Sequence, residues 1–128
     1  MAVNINIKAQ IIDVGSDTPK PSDMFFIDTN IWYWMAYTKA SQADRPPERY
    51  QISTYPSYIK KAIESGACLF RYELSLSELA HLIERTERDL FNQVTLGNAG
   101  VKEFRNNYPS DRKRVVEEIS AAWSTVKN

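Results

Sequence analysis

Cysteine and histidine each occur once in these 128 residues, as Cys68 and His81. A lone cysteine excludes an internal disulfide framework, and one of each cannot supply a Cys/His zinc site. There is no Gly-rich phosphate loop, and Cys68 within an apolar segment beside a single histidine is a poor nucleophilic pair. Long apolar runs are missing too. Nothing approaches the ~18 consecutive apolar residues of a membrane span, and the first residues, MAVNINIKAQIIDVG, lack the basic start and apolar stretch of a secretory signal. The expectation is a cytoplasmic protein with no membrane partner.

Net charge is also lacking: sixteen Lys and Arg balance sixteen Asp and Glu. No global field draws in nucleic acid or an anionic membrane, so a polyanion would have to be held by a local device such as a metal ion. What the chain does have is 43% apolar residues, enough at this length for one domain with a real core.

Val3, Ile5, Ile7, Ala9 and Ile11 alternate, which predicts an edge strand, followed by a loop over 15–23 with Pro19 and Pro21. Residues 1–23 therefore read as an N-terminal strand and loop, and 24–128 as the domain proper. Met24-Phe25-Phe26-Ile27 is apolar without alternation, the pattern of a strand covered on both faces. Asp28-Thr29-Asn30 supplies cap residues for a helix over 31–37. Residues 39–54 are polar and read as a loop or irregular short helix. Pro56 suits a first helical turn, with Tyr58, Ile59, Ala62 and Ile63 on one face and Gly66 as the stop.

A second core strand over 67–72 follows, and strand–helix–strand order implies parallel pairing through a right-handed crossover. Ser75-Leu76-Ser77-Glu78 has the form of a capping box, opening a helix with Leu76, Leu79, Ala80 and Ile83 on one face. The charged run Glu84, Arg85, Glu87, Arg88 and Asp89 reads as a solvated face. Residues 95–100 form a turn and 101–107 a short helix. Val115, Val116, Ile119, Ala122, Trp123 and Val126 mark a last helix, capped by Ser110 or Asp111. Trp32, Tyr33, Trp34 and Tyr37 read as core and interface rather than as a base-stacking platform.

Asp28 stands where an apolar strand turns into a helix, and Glu78 lies in the first turn of the helix after the next strand. Ligands of open parallel sheets bind outside the carboxyl ends of the strands. If the strands are neighbours, both carboxylates enter one crevice as hard ligands for Mg²⁺ or Mn²⁺. Each also has a structural reading, Asp28 as a helix cap and Glu78 as the reciprocal member of its capping box. Spacing alone favours those, and the two kinds of role are compatible. Glu78-Leu79-Ala80-His81 matches the Glu-x-x-His of di-iron proteins, but a single histidine cannot complete that site.

Phe25-Phe26-Ile27-Asp28-Thr29-Asn30, with Leu74-Ser75-Leu76-Ser77-Glu78-Leu79 downstream, resembles the opening half of a PIN domain. That family consists of metal-dependent nucleases, many of them ribonuclease toxins of toxin–antitoxin pairs. The resemblance implies a three-layer α/β/α fold with a mainly parallel sheet, Asp28 and Glu78 as catalytic metal ligands, and Asn30 and Thr29 in support. It implies Mg²⁺ or Mn²⁺, single-stranded RNA as substrate, with DNA or a structured RNA such as transfer RNA as substrates that the sequence does not separate from it, and an antitoxin or a second copy as partner. Complete members continue past the helix over 115–126 with further strands and two more acidic residues. Here the chain stops first, and Asp111, Glu117 and Glu118 match no later motif. An incomplete acidic site and an open sheet edge favouring association are therefore expected, with a noncatalytic interaction module on the same scaffold as the alternative. Lys60, Lys61, Lys102, Arg105, Arg112, Lys113 and Arg114 are the basic residues available to guide RNA.

Overall fold

The computed structural model describes Asn6 and residues 8–127, which form two short strands, five α-helices and one 3₁₀ turn. Strand β1 (Met24–Phe26) leads into α1 (Thr29–Ala36), a 3₁₀ turn at Ala40–Gln42, and α2 (Arg49–Ser65). Strand β2 (Cys68–Phe70) is followed by α3 (Ser75–Thr95), α4 (Val101–Asn107) and α5 (Pro109–Lys127). The fold is α/β with little sheet. None of the described helices is long and apolar enough to cross a membrane.

The strands pair in parallel, with Met24 opposite Cys68, Phe25 opposite Leu69 and Phe26 opposite Phe70. Ile27 N–H donates to Phe70 O at 3.0 Å and carries the pairing one residue further, to the edge of Asp28. Phe25 and Leu69 pack on the core, whereas Met24 and Phe26 are 75% and 61% exposed. The expectation of a strand covered on both faces is thus corrected. The strand is only three residues long, and no described element covers its second face. The N-terminal edge strand falls partly on Val3, Ile5 and Ile7, which lie outside the described residues. At Ala9 and Ile11 the chain is irregular and exposed.

Three further expectations change. Helix α2 begins seven residues before Pro56, because Gln51 Oε1 accepts the N–H of Glu48 at 2.7 Å and closes the first turn. Pro56 sits inside that helix, where its ring removes a backbone donor. Its stop is as expected: Gly66 takes φ +88°, a left-handed conformation that glycine adopts without Cβ penalty. In α3 the cap is Leu74 rather than Ser75, and Ser75 is inside the helix with its hydroxyl buried. Helix α5 starts at Pro109, ahead of both expected caps; proline suits a first turn because its missing N–H would have had no helical partner.

The core gathers Ile27, Trp32, Tyr33, Tyr37, Tyr58 and Ile59 against Leu79 and Ile83 of α3 and Ala122 and Val126 of α5. Leu79 and Ile83 have no exposed surface, and each contributes about 2 kcal/mol of burial. Trp123 packs at the margin, with the Arg71 guanidinium 5.1 Å from its ring centroid. A smaller cluster of Ala99, Phe104 and Val115 seats α4 on α5.

The charged run of α3 is not a solvated face. Glu84, Glu87 and Asp89 are buried, at 4%, 1% and 7% exposure. Glu84 receives Arg105 from α4 at 2.5 Å and Arg112 from α5 at 2.6 Å. Glu87 accepts from Tyr37 at 2.6 Å and Lys39 at 3.0 Å, with Arg114 at 3.6 Å. Lys39 also reaches Glu118 at 3.1 Å. Burial opposes the charge on Lys39, yet its bonds to Glu87 and Glu118 hold its pKa above the usual lysine value. Buried acids paired in this way link the 3₁₀ turn, α3, α4 and α5.

Candidate functional site

Asp28 ends the β1 segment in an extended conformation, φ −66° and ψ 147°, and caps α1 by accepting the Asn30 N–H through Oδ2 at 3.1 Å. The cap holds the carboxylate at the carboxyl end of the strand. Its second oxygen, Oδ1, has no hydrogen-bond partner among the described residues.

Glu78 lies in the first turn of α3, where its N–H donates to Leu74 O at 3.0 Å. Its side chain does not fold back onto Ser75 as a capping box would require. Instead Oε2 accepts the hydroxyl of Thr29 at 2.7 Å. Thr29 is 2% exposed and fixed at the head of α1, so the bond crosses between the two helix N-termini. Because β1 and β2 are adjacent, the segments leaving them bring Asp28 and Glu78 to one crevice of about 430 Å³. Thr29, Asn30, Ser77 and His81 line it as well.

The structural and chemical readings of Asp28 therefore coexist, while the capping-box reading of Glu78 is replaced by a contact to Thr29. The Thr29–Glu78 contact spans 49 residues of sequence, and its local signal is a hydroxyl residue directly after Asp28. Two carboxylates, each with one oxygen outside the protein's hydrogen bonds, suit a hard divalent ion that keeps several waters. Among the described residues no group of three or more His, Cys, Asp or Glu gathers to cage an ion. Asp28 and Glu78 are thus the two carboxylates here that could serve as ligands, a donor set of the size that Mg²⁺ or Mn²⁺ commonly takes from a protein.

The other acidic residues lie elsewhere: Asp111 pairs with Arg114 at 2.6 Å and Glu118 with Lys39. Of the basic residues expected to guide RNA, Arg105, Arg112 and Arg114 are engaged by Glu84, Glu87 and Asp111. Lys60, Lys61, Lys102 and Lys113 are exposed, and none lines the crevice. At Asn30 and Leu82 the crevice meets a larger cleft, because those two residues line both. No protein family, curated protein or solved structure matches this chain.

Proposed function

We propose that the crevice between the heads of α1 and α3 hydrolyses phosphodiester bonds of single-stranded RNA with the help of Mg²⁺ or Mn²⁺, on a PIN-like scaffold. The observation that carries this reading is the convergence of Asp28 and Glu78 at the carboxyl ends of two paired parallel strands, tied by Thr29. Asp28 Oδ1 and Glu78 Oε1 are the oxygens left to hold the ion. When bound, the ion supplies Lewis acidity and a more acidic coordinated water. Thr29 orients Glu78 by donating to its other oxygen, and Asn30 fixes Asp28 by donating its backbone N–H. Hydrolysis forms one phosphorus–oxygen bond to a water oxygen and breaks the bond to the leaving sugar oxygen, which takes up a proton.

The three-layer architecture of that scaffold draws support from the apolar face that β1 and β2 turn away from the core. Phe26 and Tyr72 pack there with ring centroids 4.4 Å apart, and both are largely exposed. In a three-layer fold this is the face a second set of helices covers. The same observation favours a second reading, a noncatalytic interaction module that seats a protein partner, such as an antitoxin or another copy of the chain, on this face.

Cleavage of a fluorescein-labelled single-stranded RNA in Mn²⁺ separates the two. Hydrolysis that EDTA stops, and that falls about a hundredfold in Glu78→Gln, is the expected result. A native chain and a Glu78→Gln variant with the same activity would remove the metal role from this crevice and leave the interaction reading.

A further inference from the structure

The crevice of Asp28 and Glu78 opens past Asn30 and Leu82 into a cleft of about 650 Å³ between α3 and the loop after the 3₁₀ turn. Along α3, Glu78, Leu82, Arg85 and Asp89 follow at i, i+4, i+7 and i+11, one stripe of the helix surface. Arg85 therefore lies roughly 10 Å, and Arg88 roughly 15 Å, down the helix axis from Glu78. From the opposite wall the loop contributes Arg45, followed by Pro46 and Pro47, which hold the backbone extended. That loop is anchored to α3, since Gln93 Nε2 donates to Asp44 Oδ1 at 2.9 Å. The side wall is Trp34.

Arg45, Arg85 and Arg88 thus face one cleft together with Asp44 and Asp89, which leaves its lining with an excess of one positive charge in a chain whose net charge is zero. Arg88 is paired with Asp89 at 3.1 Å and keeps a buried Nε without a hydrogen-bond partner. Arg45 and Arg85 are exposed and form no ion pair among the described residues. They contrast with Arg105, Arg112 and Arg114, whose carboxylate partners on α3 hold them to the fold. Guanidinium groups left free in a concave site offer several fixed donors to phosphate oxygens.

We propose that this cleft holds the stretch of single-stranded RNA flanking the bond to be cleaved, with Arg45 and Arg85 as its phosphate contacts. The inference rests on reading the Asp28–Glu78 crevice as the cleavage site. It gives a direction to the substrate path: from the carboxylates, over Asn30 and Leu82, and along α3 toward Arg88.

Binding is measured by fluorescence anisotropy with a labelled single-stranded RNA in EDTA, so that no cleavage intervenes. The double variant Arg45→Gln/Arg85→Gln is expected to bind about tenfold more weakly, and its log–log salt dependence should flatten by about 1.4, the value for two lost single-strand contacts. Lys8→Gln/Lys20→Gln removes the same charge from exposed positions that line neither crevice nor cleft, and should stay within about twofold of the native chain. Equal losses in both double variants, no loss in the arginine pair, or no RNA binding by the native chain would each overturn the proposal. So would tighter binding of polyglutamate than of RNA with the same dependence on Arg45 and Arg85, which would assign the cleft to an acidic peptide. Asp28→Asn keeps the two readings apart. If it cleaves like the native chain while the arginine variant loses binding, the cleavage site is wrong and the cleft stands only as an RNA-binding site, without the path from the carboxylates; the converse result removes the cleft alone.

Discussion

Thr29 Oγ1 donates a 2.7 Å hydrogen bond to Glu78 Oε2 across 49 residues of sequence, joining the buried head of α1 to the exposed first turn of α3. Thr29→Val keeps the shape and removes the donor. About 1 kcal/mol of stability should be lost, because Glu78 can turn to water. If Glu78 is the metal ligand proposed above, cleavage should fall roughly 10- to 100-fold, the usual cost of releasing a ligand's supporting hydrogen bond. Thr29→Ser restores the hydroxyl and should recover most of the activity. Melting curves and Mn²⁺-dependent rates for the three proteins decide it; activity unchanged in Thr29→Val would separate this bond from function.

Glu84 is the junction of α3, α4 and α5, and hydrogen bonds from Arg105, working against burial, hold its carboxyl below the usual glutamate value of 4.5. The folded state therefore takes up this proton less readily than the unfolded chain. The stabilisation is complete above the unfolded value and disappears as pH falls through the lowered folded one. Glu84→Gln should cost roughly 2 kcal/mol at neutral pH by leaving guanidinium groups incompletely paired. The gap to the native protein should narrow below about pH 4.5. Urea unfolding across the acid range tests this, and parallel pH profiles would show that Glu84 is not the titrating group.

Parts of this fold were legible because they depend on local chemistry. Asp28 is a good cap wherever a helix follows, Gly66 tolerates the left-handed turn that ends α2, and the short helix Val101–Asn107 has the expected bounds. The convergence of Asp28 and Glu78 was legible too, since parallel pairing of the strands before them leaves both carboxylates at one end. The start of α2 was not. Pro56 carries a strong signal for a first turn, while the actual first turn is closed by Gln51 Oε1 on the Glu48 N–H, a pairing without the Ser or Thr that usually announces a capping box. The buried acids of α3 were hidden by their charge, yet Leu79, Ile83, Thr86 and Glu87 follow one helical stripe. Spacing placed Glu87 inward while polarity suggested otherwise, and the deciding partners, Tyr37 and Lys39, are about fifty residues away.

Three buried phenols should make the protein sensitive to alkali. Burial, followed by the bond to Glu87, raises the Tyr37 pKa far above the ordinary 10.0, and burial with the bond to Asp17 pushes Tyr58 up to about 12. Burial also raises Tyr33, despite its hydrogen bond with Thr86. The unfolded chain releases these protons first, so the stability they contribute is full below pH 10.0 and for Tyr58 is lost between there and about pH 12. Tyr37→Phe should cost about 1 kcal/mol at neutral pH and make the alkaline decline shallower. Phenolate absorbance followed beside circular dichroism supplies the test: these tyrosines should ionise together with unfolding. Their titration in a still folded protein would contradict the assignment.

Asp28 has a duty the structure shows, as the cap of α1, and one proposed for it, as a metal ligand, and substitution can separate the two. As a cap it needs an acceptor oxygen beside the Asn30 N–H, and asparagine supplies one as well as aspartate does. As a ligand it needs negative charge, which asparagine lacks. Asp28→Asn should therefore melt close to the native protein while losing Mn²⁺-dependent cleavage, whereas Asp28→Ala should lose the activity and about 1 kcal/mol of stability. The ion itself gives an independent readout: at a hundred times its dissociation constant it should stabilise the native fold by about 2.7 kcal/mol. That gain should be greatly reduced in Asp28→Asn, because one of only two carboxylates has gone. Equal stabilisation of both proteins by Mn²⁺ would place the ion elsewhere, and equal stability of the asparagine and alanine variants would show that α1 does not depend on this cap.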